Sequence, residues 1–328
     1  MKHYTRLILT LIMCLSIQSQ AADKTEWELW MPPNNAVVKA VFVAPRWGDG
    51  ATMVRVIQQH LGAKLGIATL LSRTDELTFK EPHFVPSIPK TLSDAATELK
   101  HPELANAPLL LWSHSNAAAY IQRSLHVMPE RIIAYCLFKS AFGHNNDLGT
   151  GKAAETLPYG YVSPIEKNSR EKISQAATQV FGQTIWDKND KISSPGYNQD
   201  HERRAMFTNI AAARKQGARI HVTIVQGTHH IIDGQESLML NFFETAMAMR
   251  LPPDADASKG PVKLVNVSEN KGAFHDWTTN AVYAQETFPK DKDHRDSWWL
   301  PTWSYATLWN AYALNAKGRM LPGKNEIK

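Results

Sequence analysis

Ser115 is the residue in this chain whose surroundings first suggest chemistry. It lies in Ser113-His114-Ser115-Asn116-Ala117, between a short apolar run, residues 109–112, and an apolar segment of helical character, residues 118–127. A serine on a sharp strand-to-helix turn holds its hydroxyl clear of the sheet. The N–H of the next residue, here Asn116, is then placed to meet the oxygen of a reacting carbonyl. Such a turn is crowded, so the residues two before and two after the serine must be small, as Ser113 and Ala117 are. The competing use of the same hydroxyls is to cap a helix. A second group of interest is Gln226-Gly227-Thr228-His229-His230. His229 and His230, with Asp233, form a rival metal-binding reading in which further ligands come from elsewhere. Cys136 lies inside an apolar strand and reads as a small buried hydrophobe; Cys14 is the only other cysteine.

These residues need a scaffold. A second apolar run, residues 132–138, follows Pro129, so the Ser115 region reads strand, turn, helix, strand. That is a βαβ unit, and such units build parallel sheets. Residues 37–44 form another strong apolar run, broken only by Lys39, and end in the turn-rich loop Pro45-Arg46-Trp47-Gly48-Asp49-Gly50. Helices are expected at 53–61, 91–99, 201–216 and 237–249. Further strands are expected at 66–71, before Trp186, and at 219–225, where IHVTIV alternates. Residues 27–31 alternate like an edge strand, and the proline-bearing stretch 74–89 reads as a loop. The expected fold class is α/β: a mostly parallel central sheet from the Val37, Ile67, Leu109, Ile132, Ile185 and Ile220 regions, with helices on both faces.

The turn at Ser115 resembles the nucleophile elbow, G-x-S-x-G, of the α/β-hydrolase superfamily, with Ser113 and Ala117 standing where the pattern has glycines. Within that superfamily the chain is most similar to secreted serine esterases and depolymerase-like enzymes, over roughly residues 37–250. The resemblance implies a Ser-His-Asp triad. The acid would follow a late strand, which points to Asp190, with Asp187 as alternate and Asp200 a distant third. The histidine would lie on the Gly-bearing turn after the last strand: G-x-x-H selects His230 and G-x-H selects His229. Ser115, Asp190 and His230 then stand in the superfamily's chain order. The second oxyanion N–H would come from the loop at Arg46 and Trp47, beside that of Asn116. The implied reaction is cleavage of a small or polymeric carboxylic ester through an acyl-enzyme, with no cofactor and no metal. Two alternatives stand beside it. One is a non-catalytic ligand- or carbohydrate-binding protein on a hydrolase scaffold. The other is a metal-dependent hydrolase built on the His229/His230 region.

The ends of the chain read differently. Lys2 and Arg6 precede an apolar stretch, residues 7–17, and Ser19-Gln20-Ala21 offers small residues where signal peptidase reads. Residues 1–21 are therefore expected to be a signal peptide. The mature chain would start at Ala22, be exported to the periplasm or medium, and keep no membrane anchor. A hydrolase-like domain is expected over 22–251. The proline-rich stretch after it opens a C-terminal extension, 252–328, rich in tryptophan: Trp277, Trp298, Trp299, Trp303 and Trp309. Large aromatics here either pack the extension onto the main domain or present a sugar-binding surface. A strand is expected at 262–267 and a helix after Pro301. The net charge of +5 in 328 residues is modest and spread out, and no basic run or nucleic-acid motif is present, so a nucleic-acid partner is not expected.

Overall fold

The computed structural model describes residues 27–34, 36–46, 48–73, 84–139, 174–187, 210–225, 231–232 and 234–313, and only the backbone of Asn116, Ala119 and Asp187. The expected signal peptide and the Ala22 start lie outside these residues. Seven strands form the central sheet: β1 (Trp27–Trp30), β2 (Ala40–Ala44), β3 (Ile67–Ser72), β4 (Leu109–His114), β5 (Ile132–Phe138), β6 (Phe181–Asp187) and β7 (Ile220–Val225). Their spatial order is β1-β3-β2-β4-β5-β6-β7. All neighbours are parallel except β1, which runs antiparallel to β3 at the edge. The fold is therefore α/β with a mostly parallel sheet.

Alternate side chains along each strand enter opposite layers. Phe42, Leu110, Trp112, Cys136 and Phe138 face one layer, packed against helices α1 (Gly50–Ile57) and α4 (Glu236–Arg250). Val41, Leu109, Leu111, Tyr135 and Leu137 face the other, packed against α2 (Phe84–Glu98) and α3 (Ala118–Val127). Helices thus cover both faces. Cys136 is fully buried, and burial pushes its thiol well above the usual range.

One expected loop is a helix. Residues 84–89 belong to α2, with Pro89 inside it. Phe84, Ile88, Leu92 and Ala96 recur every four residues and are buried, so one face repays the backbone bond that Pro89 cannot make. Nor are residues 262–267 a strand. Leu264 and Val267 do reach the core, but the Val265 N–H is spent on the Arg250 carbonyl at 2.8 Å. Among the described residues, no helix is long and apolar enough to cross a membrane.

After α4 the chain forms a three-stranded antiparallel sheet, β8 (Ala273–Asp276), β9 (Ala281–Ala284) and β10 (Trp298–Leu300), in the order β10-β8-β9. Helix α5 (Trp303–Tyr312) follows. Their aromatic side chains meet the central sheet. Trp299 packs edge-on to Phe181 of β6, ring centroids 4.6 Å apart. Trp309 donates its indole N–H to Thr223 Oγ1 of β7 at 2.8 Å. Tyr305 takes a hydrogen bond from Gln183 Nε2 at 2.7 Å, and its hydroxyl lies 2.9 Å from His221 Nε2. Arg214, fully buried, reaches across to Glu269 at 2.7 Å. Trp303 differs from its neighbours, with 39% of its surface exposed at the start of α5.

Two buried histidines make the fold sensitive to acid. Burial pushes His221 down to about 3 and His275 down to about 4. Both values lie below the usual ~6.5 of an unfolded histidine, so between these limits the unfolded chain binds protons that the native chain refuses. The associated stability is complete above about pH 6.5 and is lost as pH falls, at about 1.4 kcal/mol per histidine per pH unit. Thermal unfolding should therefore begin several degrees lower at pH 5 than at pH 7.5. Both ring nitrogens of His275 lack a hydrogen-bond partner among the described residues, so His275→Phe should flatten this slope and raise the melting temperature. A melting temperature constant from pH 7.5 to 5 would contradict this.

Candidate active site

Ser115 follows the last residue of β4 directly and opens a short 3₁₀ turn, Ser115–Ala117, that leads into α3. Its backbone is left-handed, with φ at +53°. For a residue with a β-carbon that conformation costs about 1–2 kcal/mol. Such outliers persist where the surroundings force them, and they cluster at functional positions. The small flanks are both fully buried, Ser113 below the turn and Ala117 within it. The Ser113 hydroxyl has no partner among the described residues. Burying a hydroxyl unpaired costs about 1–3 kcal/mol, so Ser113→Ala should stabilise the chain, read as a higher melting temperature in calorimetry.

The loop after β2 is held against this turn by His114. The ring Nδ1 accepts a hydrogen bond from the Asp49 N–H at 3.1 Å. Gly48 closely approaches the Nδ1 edge of the same ring: it has φ of +59°, and a β-carbon there would sit 2.1 Å from Nδ1. Only glycine satisfies both the dihedral angle and the space. Gly48→Ala should push the 45–50 loop off His114. If that loop supplies an oxyanion donor, ester turnover should drop about 100-fold, the usual cost of losing one such donor. Unchanged turnover in a folded Gly48→Ala variant would separate this loop from the chemistry.

The segment just beyond His230 is anchored from two sides. Asp49 Oδ2 accepts from the Ile232 N–H at 2.5 Å. Lys139 Nζ donates to the Ile231 carbonyl at 2.5 Å. Lys139 directly follows β5, is 1% exposed, and is also left-handed, with φ at +46°. Strand register adds a third convergence. His114 pairs with Phe138, Phe138 with Ile185 and Ile185 with Thr223, while Asp187 pairs with Val225. The chain thus leaves β4, β6 and β7 at one edge of the sheet, the carboxyl edge. There Ser115 follows β4; in sequence, Asp190 comes three residues after the end of β6 and His230 five after the end of β7.

The sequence-derived site residues divide accordingly. Ser115 sits at the strained turn, and Asn116 follows it in the 3₁₀ turn. Arg46 lies at the mouth of the loop, but its guanidinium pairs with Glu28 of the edge strand at 3.3 Å, so only its backbone is left for an oxyanion role. Asp187 ends β6. Trp47, Asp190, Asp200, His229, His230 and Asp233 lie outside the described residues, and with them the rival metal cluster. Among the described residues, no three His, Cys, Asp or Glu side chains come together as a metal requires. Three residues that organise the site, Asp49, His114 and Lys139, were not singled out from sequence. A signal was present in two of them: a histidine and a lysine closing otherwise apolar strands.

No family model matches the chain, and no curated protein sequence matches it. Among solved structures it is similar to Est1E from Butyrivibrio proteoclasticus, with 16% identity over 68% of this chain and 94% of that one, at a TM-score of 0.42. It is also similar to the Bacillus cereus carboxylesterase, with 11% identity over 67% and 94% of the two chains and a TM-score of 0.42. A third is FphF, a fluorophosphonate-binding serine hydrolase of Staphylococcus aureus, with 10% identity over 67% and 91% and a TM-score of 0.43. These likenesses are distant, and the functional reading rests on this chain's own residues.

Proposed function

We propose that this protein is an exported serine hydrolase of the α/β-hydrolase type that cleaves carboxylic esters. The observation that carries the reading is the left-handed Ser115 at the carboxyl end of a central parallel strand, between two buried small residues and ahead of a helix. A serine merely capping a helix has no need of that strain. Export is inferred from Lys2, Arg6, the apolar stretch 7–17 and Ser19-Gln20-Ala21.

In the proposed mechanism His230 takes the proton from the Ser115 hydroxyl as its oxygen attacks the ester carbonyl. Asp190 holds the imidazole in the tautomer that can accept that proton and stabilises the imidazolium formed. N–H groups of Asn116 and of the loop at Arg46 and Trp47 meet the oxyanion. His230 then returns the proton to the departing alcohol, leaving an acyl-enzyme. Water, activated by the same histidine, releases the acid. Asp49 and Lys139 would hold the residues after His230 in place, through the Ile232 N–H and the Ile231 carbonyl.

The test is hydrolysis of a short-chain nitrophenyl ester by the wild type and by His230→Ala, His229→Ala and Asp190→Asn, each with and without a chelator. Loss in His230→Ala and Asp190→Asn, little change in His229→Ala and indifference to chelator are expected. Hydrolysis that disappears with the chelator would instead favour the metal reading at His229, His230 and Asp233.

A further inference from the structure

A concave feature lies at the opposite end of the sheet from Ser115. A cavity of about 490 Å³ opens at the amino ends of β4, β5 and β6, bounded by Pro108, Arg131 and Gln179 and by the 261–266 segment. Two guanidinium groups line it. Arg250, the last residue of α4, is 2% exposed and donates through Nη1 to the carbonyls of Ile132 and Ile133 at 2.8 and 2.9 Å. Arg131 donates through Nε to the Ala107 carbonyl at 2.9 Å and through Nη2 to the Leu104 carbonyl at 3.2 Å.

What these cations lack, among the described residues, is a counter-ion. Neither makes an ion pair among the described residues, and Arg250 Nη2 and Arg131 Nη1 have no protein acceptor there. Glu130, the one carboxylate on the lining, is exposed and pairs with neither. Arg219, 7% exposed with its Nε unpartnered, adds positive potential close to Arg250. Buried charges are ordinarily paired, and a guanidinium presents a fork that matches a carboxylate. Burial draws Arg131 and Arg250 down only to about 10, so both remain charged at neutral pH. Val262 and Leu264 give the wall an apolar stretch, beside the polar Asn106 and Asn266 and a third, exposed cation, Lys263.

We propose that this cavity binds an organic carboxylate, its charged end on Arg131 and Arg250 and its apolar body against Val262 and Leu264. The site is separate from the Ser115 centre and does not depend on the hydrolase reading. It gives the chain a place where a carboxylic acid can bind far from the catalytic edge.

The test is calorimetric titration and thermal unfolding of the full chain at constant ionic strength, with benzoate, octanoate, benzamide and inorganic phosphate as probes. Benzoate or octanoate should bind one to one and raise the melting temperature, and benzamide should not. Arg131→Gln and Val262→Trp should each weaken carboxylate binding at least tenfold, and Ser115→Ala should leave it unchanged. Val262→Trp fills the cavity without touching a charge, so the test survives if Arg131→Gln fails to fold. The proposal is overturned if no carboxylate binds, or if benzamide or phosphate binds as well as benzoate. It is also overturned if carboxylate binding persists in Val262→Trp or vanishes in Ser115→Ala.

Discussion

Ser115→Ala is expected to lower ester turnover by a factor on the order of 10⁴–10⁶, the range seen when a triad nucleophile is removed. The fold should survive, because one hydroxyl is lost and alanine fits a turn whose flanks are already Ser113 and Ala117. A companion variant reads the strain itself. Alanine keeps the β-carbon that makes φ of +53° costly, whereas glycine does not. Ser115→Gly should therefore be as inactive as Ser115→Ala yet more stable, by about 1 kcal/mol. Calorimetry on the two variants measures the difference. If glycine is the less stable, the turn is not strained and the strongest structural sign of a nucleophile is lost.

The second large effect is structural. Trp299 and Trp309 are 0% and 1% exposed and tie the C-terminal sheet and helix to β6 and β7. Truncating a buried tryptophan costs about 3–5 kcal/mol, a large part of the roughly 5–15 kcal/mol that holds a domain together. Trp299→Ala and Trp309→Ala should each lower the denaturant midpoint sharply, and Trp309→Ala also strands the Thr223 hydroxyl. Trp303→Ala, at a position 39% exposed, should cost little. The same comparison addresses the sugar-binding alternative. Loss of polysaccharide binding in Trp299→Ala with no loss of stability would contradict a packing role.

What the sequence made legible follows from burial. A parallel strand covered on both faces is a continuous apolar run, so β2, β4 and β5 stand out along the chain. The turn at Ser115 was legible as small residues at fixed offsets. Other features leave no local trace. Helix α2 was read from residue 91 on, but its first turns were hidden because Pro86 and Pro89 punctuate them, and the four-residue spacing from Phe84 to Ala96 is visible only when read across them. β8, β9 and β10 are three or four residues long, too short for a period to show. At 262–267, Leu264 and Val267 pack into the core without a partner strand. The supports of the site were the least legible, because each is a contact between distant segments: Asp49 with Ile232, Lys139 with Ile231, and Gly48 with the His114 ring.

The most direct measurement is labelling of the full chain with a fluorophosphonate, followed by peptide mapping of the modified residue. Such a probe captures only a serine that is accessible and activated by a base. One adduct per chain, on the peptide carrying Ser115, absent in Ser115→Ala and strongly reduced in His230→Ala, is the expected result. An unlabelled wild-type chain, or an adduct on another serine that persists in Ser115→Ala, would contradict the assignment of Ser115 as the nucleophile.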